Sequence, residues 1–220
     1  MCGRKFSHED LTWSEYREIL EIIKPPPHTN FEPNYNICPT QKVPVCLTYK
    51  DDRRLEMLNW GLVPSSAKDR KFAANMINAR AETIAKKPAF QPLLTKRRCI
   101  IMVSGFYEWQ RQANSKTPYK VERPDGRPML IAGLWTHNPK LSLNSYTIIT
   151  TAAPDRFSAI NHRCPILLEQ SQISIWLEGE WSEASKLVDI YQGPLQATRI
   201  SNAVNSSRNN GPELLLPDLR

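Results

Sequence analysis

The second residue of this chain is a cysteine, and its position can give it two nucleophiles. Cys2 directly follows Met1, and a small second residue permits removal of an initiator methionine. The mature chain would then begin with an α-amine beside a thiol. An α-amine has a pKa of about 7.7–8.0 against about 10.4 for lysine, so far more of it is neutral near pH 7. An aldehyde can condense with this amine to a Schiff base, which the thiol closes to a five-membered thiazolidine.

Other residues suit the same chemistry. Gly3 allows a ligand to approach the backbone closely, and Arg4 places a fixed cation beside the nucleophile. Glu108 lies between aromatic residues in the segment Ser-Gly-Phe-Tyr-Glu-Trp at 104–109. Apolar surroundings raise the pKa of a carboxyl group, so Glu108 could transfer protons near neutrality, as dehydration of a carbinolamine requires.

Strands are expected to position these groups. Alternating or continuous apolar segments predict strands over 43–49, 54–63, 99–109, 146–151 and 196–201. A hairpin is predicted between 119–122 and 129–135, around Pro124-Asp125-Gly126. Short helices are predicted over 12–24, 171–177 and 182–191. This pattern predicts a single α+β domain over residues 1–220, with a curved, barrel-like antiparallel β core flanked by short helices and a tail from 202 that packs back.

Composition narrows the class of protein. The 220 residues carry 29 Lys and Arg against 22 Asp and Glu, a net charge of +7 that suits phosphate binding but also serves solubility alone. The five cysteines are odd in number and have no CxxC spacing, so neither disulfides nor a metal are expected. No apolar run of 18 residues and no signal peptide are recognised, which predicts a cytoplasmic protein without a membrane segment. We also expect a monomer without a cofactor.

Several motifs, in order along the chain, resemble those of the SOS response-associated peptidase family. The matching blocks are Met1-Cys2-Gly3-Arg4, Tyr35 to Thr40, Trp60 to Pro64, Asn78-Ala79-Arg80-Ala81-Glu82-Thr83, Ser104 to Trp109, Ala132 to Trp135, Thr147 to Thr151, His162-Arg163-Cys164-Pro165, Val204-Asn205 and Pro212-Glu213-Leu214. Each block alone is a weak signal. Their common order from residue 2 to residue 214 makes the resemblance specific.

The resemblance implies an activity and a partner. Proteins of this family trap abasic sites in single-stranded DNA as a thiazolidine adduct and so shield the strand. This is Schiff-base, lyase-like chemistry in the DNA-damage response, and would place the protein with the nucleoid. The peptidase of the family name refers to autoprocessing that exposes the cysteine. The fold implied is a barrel-like α+β domain with a positively charged groove.

The resemblance also assigns roles to individual residues. Cys2 matches the nucleophile and Glu108 the catalytic glutamate. Asn78 matches an asparagine that could hold the opened sugar or orient the amine through its amide. Three arginines match or adjoin phosphate-binding positions: Arg4, Arg80 and Arg163. The basic clusters at 68–71 and 96–98 could add charge to the groove, although solvated surface charge is the simpler interpretation.

Two departures from the family pattern stand out. Where the family has Ile-His-x-Arg-x-Pro, this chain has Asn161 and then His162, so either can occupy the histidine position. His can transfer a proton whereas Asn cannot, so His162 is the candidate catalytic residue and Asn161 a candidate DNA contact. If His162 points away, sugar ring opening or adduct reversal should be slow. The second departure is the lack of aromatic residues in 65–67, which should weaken base stacking.

Three other functions fit part of the pattern. An N-terminal-cysteine amidohydrolase also begins Met-Cys-Gly, and there the cysteine attacks an amide. A cysteine protease would need a dyad of Cys2 with His162 or His137. A non-catalytic single-strand binding module would need only the basic surface, and its binding would depend steeply on salt but not on Cys2.

Overall fold

Strands make up most of the fold. The computed structural model describes residues 2–24, 31–50, 52–112 and 115–218. The strands in these residues are β1 (Arg4–Ser7), β2 (Asn34–Ile37), β3 (Lys42–Tyr49), β4 (Asp52–Trp60), β5 (Asn78–Arg80), β6 (Arg98–Val103), β7 (Gly105–Gln112), β8 (Ser115–Glu122), β9 (Met129–Asn138), β10 (Leu143–Ala152), β11 (Arg163–Pro165), β12 (Leu167–Leu168) and β13 (Gln196–Arg199).

The helices are short and lie mainly near the two ends of the chain. The α-helices are α1 (Trp13–Leu20), α2 (Ala81–Ile84), α3 (Asp155–Ser158), α4 (Ile173–Leu177) and α5 (Trp181–Ala184). Single turns of 3-10 helix occur at Ala73–Asn75, Gln91–Leu93, Gln170–Gln172, Ser185–Leu187, Asn202–Asn205 and Pro212–Leu215. None of the described helices is long and apolar enough to cross a membrane.

The larger sheet closes on itself. Its strands follow the order β11-β10-β4-β3-β6-β9-β12, and β10 also pairs with β9. Strands β10, β4, β3, β6 and β9 therefore form a closed ring, here called the ring. This confirms the α+β class and the curved, closed β core. The antiparallel arrangement was wrong for two pairings, because β4 and β5 pair successively along β10 and both run parallel to it.

The smaller sheet is open and holds the start of the chain in its interior. Its strands follow the order β13-β8-β7-β1-β2, and every pairing is antiparallel. Strand β1 thus lies between β2 and β7, with Arg4 opposite Tyr107 and Lys5 opposite Phe106. Residues 4–7, which begin two positions after Cys2, are therefore paired with strands on both sides.

Two apolar clusters cover the two faces of the ring. Alternate side chains of a strand point to opposite faces, and those of β6 belong to different clusters. Cys99 and Ile101 belong to one cluster, and Ile100 and Met102 to the other. The first cluster, here called the site-side core, includes Cys2 and Phe106 of the open-sheet region. The other packs against α1 and α4. A strand buried on both faces accounts for the continuous apolar run at 99–103.

The predicted long strand over 99–109 was wrong, since the chain changes sheet at Ser104. The Ser104 backbone N–H donates to the Phe6 carbonyl at 3.0 Å, and its Oγ accepts from the His8 N–H at 2.8 Å. Gly105 then lies so close to Phe6 that an added Cβ would be 2.3 Å from the Phe6 ring. The break places β6 in the ring and β7 in the open sheet, where it carries Glu108.

The predicted hairpin was right about the turn and wrong about the pairing. Gly126 has a φ of 72°, and its N–H donates to the Arg123 carbonyl at 3.1 Å. The turn nevertheless connects β8 of the open sheet to β9 of the ring. Local turn chemistry gave no information about which strands pair, because pairing depends on partners distant in sequence.

The predicted return of the C-terminal tail is confirmed for the described residues. Val204, Leu214 and Leu215 are buried against Phe6 and Tyr107. Asn36 of β2 anchors this segment, since its Nδ2 donates to the carbonyls of Ser206 and Asn209 at 2.9 and 2.8 Å. The tail therefore supports β1 and β7, the strands that carry the candidate site.

Candidate active site

Cys2 lies just before β1, an interior strand of the open sheet. Its side chain is buried, and its carbonyl accepts a hydrogen bond from Asn78 Nδ2 at 2.8 Å. Asn78 begins β5, which the ring positions through its pairing with β10. Burial raises the pKa of the Cys2 thiol to about 12, and the charge of Glu108 raises it further while Lys5 lowers it. The thiol therefore needs help to ionise.

Glu108 lies on the neighbouring strand, one residue beyond the partner of Arg4. Its side chain is only 4% exposed, and Oε2 accepts a hydrogen bond from Asn161 Nδ2 at 2.7 Å. Burial raises the pKa of Glu108 to about 7, and the hydrogen bond from Asn161 opposes this shift. A carboxyl group with such a pKa can both donate and accept a proton near neutrality.

Asn161, rather than His162, faces Glu108. The Asn161 Oδ1 accepts from the Arg163 backbone N–H at 3.1 Å, which orients its amide so that Nδ2 points to the carboxyl group. The His162 side chain is exposed, and its backbone carbonyl accepts from Ala153 N–H at 3.0 Å. The geometry therefore gives Asn161 the place beside the catalytic candidate and removes the basis for a catalytic His162.

Arg163 does not fit the role predicted for it. Its guanidinium is 8% exposed and pairs with Glu82, with NH1 2.5 Å from Oε1 and NH2 3.1 Å from Oε2. NH2 also donates to the Thr150 carbonyl at 2.5 Å. These contacts fasten β11 to β10 and α2 and leave the guanidinium enclosed. The prediction that Arg163 contacts phosphate is therefore wrong, because its guanidinium is enclosed by Glu82 and Thr150.

Arg80 and Arg4, the other two arginines predicted to bind phosphate, are more exposed than Arg163. Arg80, at the end of β5, is exposed. Arg4 is half-buried and donates to Asn36 Oδ1 and to the Val204 carbonyl, both at 2.6 Å. Arg4 thus connects β1 to the tail, while it also contributes to the wall of a cleft above Glu108.

This cleft has a volume of about 360 Å³. Its lining residues are Gly3, Arg4, Glu108, Trp109, Arg111, Lys116, Asn161 and Asn205. Lys116 Nζ lies 4.7 Å from the centre of the Trp109 ring, and Trp109 Nε1 donates to Asn205 Oδ1 at 2.8 Å. The cleft thus brings three cations and an aromatic face to the side of the buried carboxyl group.

Sequence reasoning missed Arg111 and Lys116 as cleft residues. They are on β7 and β8, opposite each other in the strand register, so that the hairpin brings both to the cleft. Of the basic clusters considered instead, Lys68, Arg70 and Lys71 are exposed. Arg98 is buried and donates to carbonyls, including those of Leu94 and Trp176, so it supports the backbone.

The histidines do not form the dyad that a cysteine protease would need. His137 is exposed, and its Nδ1 lies 2.8 Å from Asn144 Oδ1. Among the described residues, neither His137 nor His162 is hydrogen-bonded to Cys2. A group near Cys2 that can transfer protons near neutrality is Glu108.

The fold and the buried cluster define a protein with a cysteine at the head of an interior strand and a carboxyl group beside it. A family model described as SOS response associated peptidase (SRAP) matches residues 1–207, and the chain belongs to this family. It is 34% identical to the Bacillus subtilis abasic site processing protein YoqW, over 98% of this chain and 99% of that protein. It is 32% identical to the chicken abasic site processing protein HMCES, over 85% of this chain and 67% of that protein.

Solved structures agree with this assignment of the fold. A Bacteroides thetaiotaomicron protein is 25% identical and superposes with a TM-score of 0.74, over 84% of this chain and 86% of that one. A Bordetella bronchiseptica protein, at 22% identity and a TM-score of 0.75, covers 91% of this chain and all of its own. These proteins therefore share the overall fold of this chain despite low sequence identity.

Proposed function

We propose that this protein processes abasic sites in single-stranded DNA by forming a covalent adduct through Cys2, after removal of Met1. The observation that carries the proposal is the buried pair of Cys2 and Glu108 beside a cationic cleft. The relatives named abasic site processing proteins support the same substrate. The lesion offers an aldehyde, which is the group that a 1,2-aminothiol captures.

The first step joins the amine to the aldehyde. The neutral α-amine of Cys2 adds to the aldehyde carbon of the opened sugar and forms a carbinolamine. Glu108, when protonated, gives its proton to the carbinolamine hydroxyl, which leaves as water. The carboxylate then takes up a proton released by the nitrogen. The products are an imine, one water molecule and an unchanged Glu108.

The second step closes the ring. The Cys2 sulfur forms a bond to the imine carbon, and the electron pair of the C=N bond moves to nitrogen. The proton lost by the thiol ends on that nitrogen, which becomes a secondary amine. No electron acceptor or donor is required, since no atom changes its oxidation state overall.

Asn78 is proposed to orient the reacting amine. Its Nδ2 holds the Cys2 carbonyl at 2.8 Å. Its Oδ1 is buried and has no hydrogen-bond partner among the described residues. A buried acceptor without a donor carries a free-energy cost, so the Cys2 amine or a hydroxyl of the opened sugar is a suitable donor. Asn78 would then hold both ends of the first residue.

The cleft is proposed to bind the DNA backbone next to the lesion. Arg4, Arg111 and Lys116 supply the positive charge, and Arg80 adds an exposed cation on the ring. Trp109 offers an aromatic surface on which a base can stack, although Lys116 already lies over this ring. Single strands fit best, because a base or sugar must reach a buried carboxyl group.

The test is a reaction with a single-stranded oligonucleotide that carries one abasic site, followed by a denaturing gel. Protein that has lost Met1, as shown by intact mass, should give a shifted band. Cys2→Ala should give none, and protein that retains Met1 should give none because its amine is blocked. Cys46→Ala, which removes another buried thiol, is the matched control and should react like the wild type.

Other outcomes distinguish the alternatives. Salt-sensitive binding that is unchanged in Cys2→Ala, with no band after denaturation, would support a non-catalytic binding module. Release of ammonia from glutamine, or cleavage of a peptide panel that is lost in Cys2→Ala, would support an amidohydrolase or a protease.

A further inference from the structure

A second cleft lies at the opposite end of the ring from the open sheet. It is bordered by the end of β3, the residues just before β6, Trp135 of β9 and the segment between α4 and α5. Strand β6 begins at Arg98, beside this cleft, and ends at Val103, just before the open sheet, so about 16 Å of strand separates the two ends. The second cleft shares no lining residue with the cleft above Glu108. Its volume of about 610 Å³ is in the range of sites for small ligands.

The second cleft holds positive charge that the fold itself does not neutralise. Three of its lining cations belong to no ion pair with a described carboxylate: Lys50, Lys96 and Arg97. The two carboxylates that line the same cleft act on other arginines. Glu178 Oε1 lies 2.5 Å from Arg53 Nε, and Glu180 lies within electrostatic reach of the buried Arg98. The three cations are therefore available to an anion from outside the chain.

Two buried polar atoms of the lining residues have no hydrogen-bond partner in the part of the chain that the structure describes. They are Trp135 Nε1 and Thr48 Oγ1. An indole N–H can only donate, whereas a hydroxyl can donate or accept. A buried donor without an acceptor costs free energy, and a ligand with several acceptor oxygens can remove that cost.

Aromatic rings lie beside the cations of this cleft. The Tyr49 side chain is 43% exposed, and its ring centre lies 4.0 Å from the Arg54 guanidinium carbon and 5.7 Å from Lys50 Nζ. The Arg97 guanidinium carbon lies 4.1 Å from the centre of the Trp135 ring and covers it. Cations interleaved with aromatic faces are the combination that binds a phosphate and stacks a base.

We propose that the second cleft binds one nucleotide unit, either free or within a single strand. The three cations bind the phosphate, and the exposed ring of Tyr49 stacks on the base. Movement of Arg97 towards the phosphate uncovers Trp135, whose indole N–H then donates to an oxygen of the ligand. No covalent bond changes and Cys2 takes no part, so the inference does not rest on the proposed function.

The experiment is equilibrium dialysis of the purified protein against thymidine 5′-monophosphate, with thymidine, inorganic phosphate and a four-nucleotide thymidylate strand as comparison ligands. The monophosphate should bind at least about tenfold more tightly than thymidine or phosphate, because only it offers both groups. Lys96→Gln and Arg97→Gln should each weaken its binding roughly tenfold, since each removes a charge-assisted hydrogen bond. The matched control is Lys116→Gln, which removes a cation from the other cleft and should bind like the wild type.

Three results would overturn the inference. They are retention of neither the monophosphate nor the strand, equal affinity for the monophosphate and inorganic phosphate, and a loss of affinity in Lys116→Gln as large as that in Lys96→Gln. Should Arg97→Gln fail to fold, Lys50→Gln, which changes an exposed turn residue, is measured in its place.

The comparison ligands also identify the source of the nucleotide. A strand that binds more tightly than the monophosphate, with the difference lost in Lys96→Gln, assigns the second cleft to DNA. Equal affinity for the two assigns it to a free nucleotide, and both results support the site. A wild type that binds the monophosphate but forms no crosslink with abasic DNA refutes the proposed function and leaves this inference standing.

Discussion

At the scale of single residues, the site places two ionisable side chains, Cys2 and Glu108, in an apolar core. Ionisation of either one there costs free energy. A buried carboxyl group and a buried thiol both resist ionisation, and in this protein they lie beside one another. Burial keeps Glu108 protonated up to about neutral pH, where the α-amine of a mature chain begins to lose its proton. The acid and the nucleophile can therefore be present together.

The change Glu108→Gln tests this balance. It should lower the crosslinking rate by about 100-fold or more, since it removes general acid and base catalysis. The wild-type rate should rise with pH as the α-amine loses its proton and fall as Glu108 loses its own above about pH 7, which gives a maximum near neutrality. The falling limb should be missing in Glu108→Gln. A variant that retains the wild-type rate and profile would remove Glu108 from the mechanism.

The change Asn161→His introduces a proton donor beside Glu108. Because asparagine cannot transfer a proton, we expect the variant to open the sugar ring faster and to reverse the adduct faster, roughly tenfold or more, if it retains the contact with Glu108. Formation and reversal are measured with the same abasic oligonucleotide. His162→Asn is the matched control and should change neither rate, since the His162 side chain is exposed.

At the scale of elements, the change of sheet at Ser104 sets the position of Glu108. Gly105→Ala should lower the free energy of unfolding by about 1–3 kcal/mol, because the new Cβ would lie 2.3 Å from the Phe6 ring and 2.5 Å from the Val121 carbonyl. Strand β7 must then shift, and crosslinking should fall with it. Denaturant unfolding and the gel measure both effects.

Gly126→Ala is the control for this change. Its Cβ meets no atom within 4 Å, although its φ of 72° imposes some strain. It should therefore cost about 1 kcal/mol of stability and leave crosslinking unchanged. Equal loss of crosslinking in both variants would contradict a specific role for the packing of Gly105.

Much of the element order could be predicted from periodicity, whereas the sheet pairings could not. The continuous apolar run at 99–103 indicates a strand, and nothing local shows that Gly105 starts another strand in a different sheet. The return of the tail follows from its leucines, yet its anchor on Asn36 joins residues more than 160 positions apart. Parallel pairing of β4 and β5 with β10 also depends on such distant contacts.

The candidate site shows the same division. Motifs predicted that Cys2, Asn78 and Glu108 act together, and the fold brings Asn78 to Cys2 and Asn161 to Glu108. The choice between Asn161 and His162 required the backbone after α3, since a single position reverses which side chain faces inward. The burial of Lys5 beside the Trp60 and Tyr146 rings was not predicted, because a lysine in a polar segment gives no local sign that its side chain will be enclosed.

At the scale of the whole molecule, part of the net charge of +7 is concentrated in the cleft, where it can attract a phosphate backbone. Binding of undamaged single-stranded DNA should weaken as salt rises, with a slope of about 0.7 per phosphate contact. Arg111→Gln and Lys116→Gln should each reduce this slope by roughly 0.7, because both side chains line the cleft. Fluorescence anisotropy across a salt series measures the slope.

Lys186→Gln provides the comparison. Lys186 is exposed, follows α5 and pairs with Glu183, and it does not line the cleft. The slope should stay at the wild-type value in this variant. A fall as large as that in Lys116→Gln would mean that the DNA contacts the surface without preference for the cleft.

The position of β1 between β2 and β7 would have a mechanical consequence for a DNA strand attached at Cys2 as proposed. Tension on that strand would enter the protein at the head of β1 and run along it, so the flanking hydrogen bonds would be loaded in shear on both sides. An edge strand could be peeled away one bond at a time, whereas an interior strand must break many bonds together. A pull at Cys2 would therefore act on a strand that is paired on both sides, and detachment would require β1 to separate from β2 and β7 together.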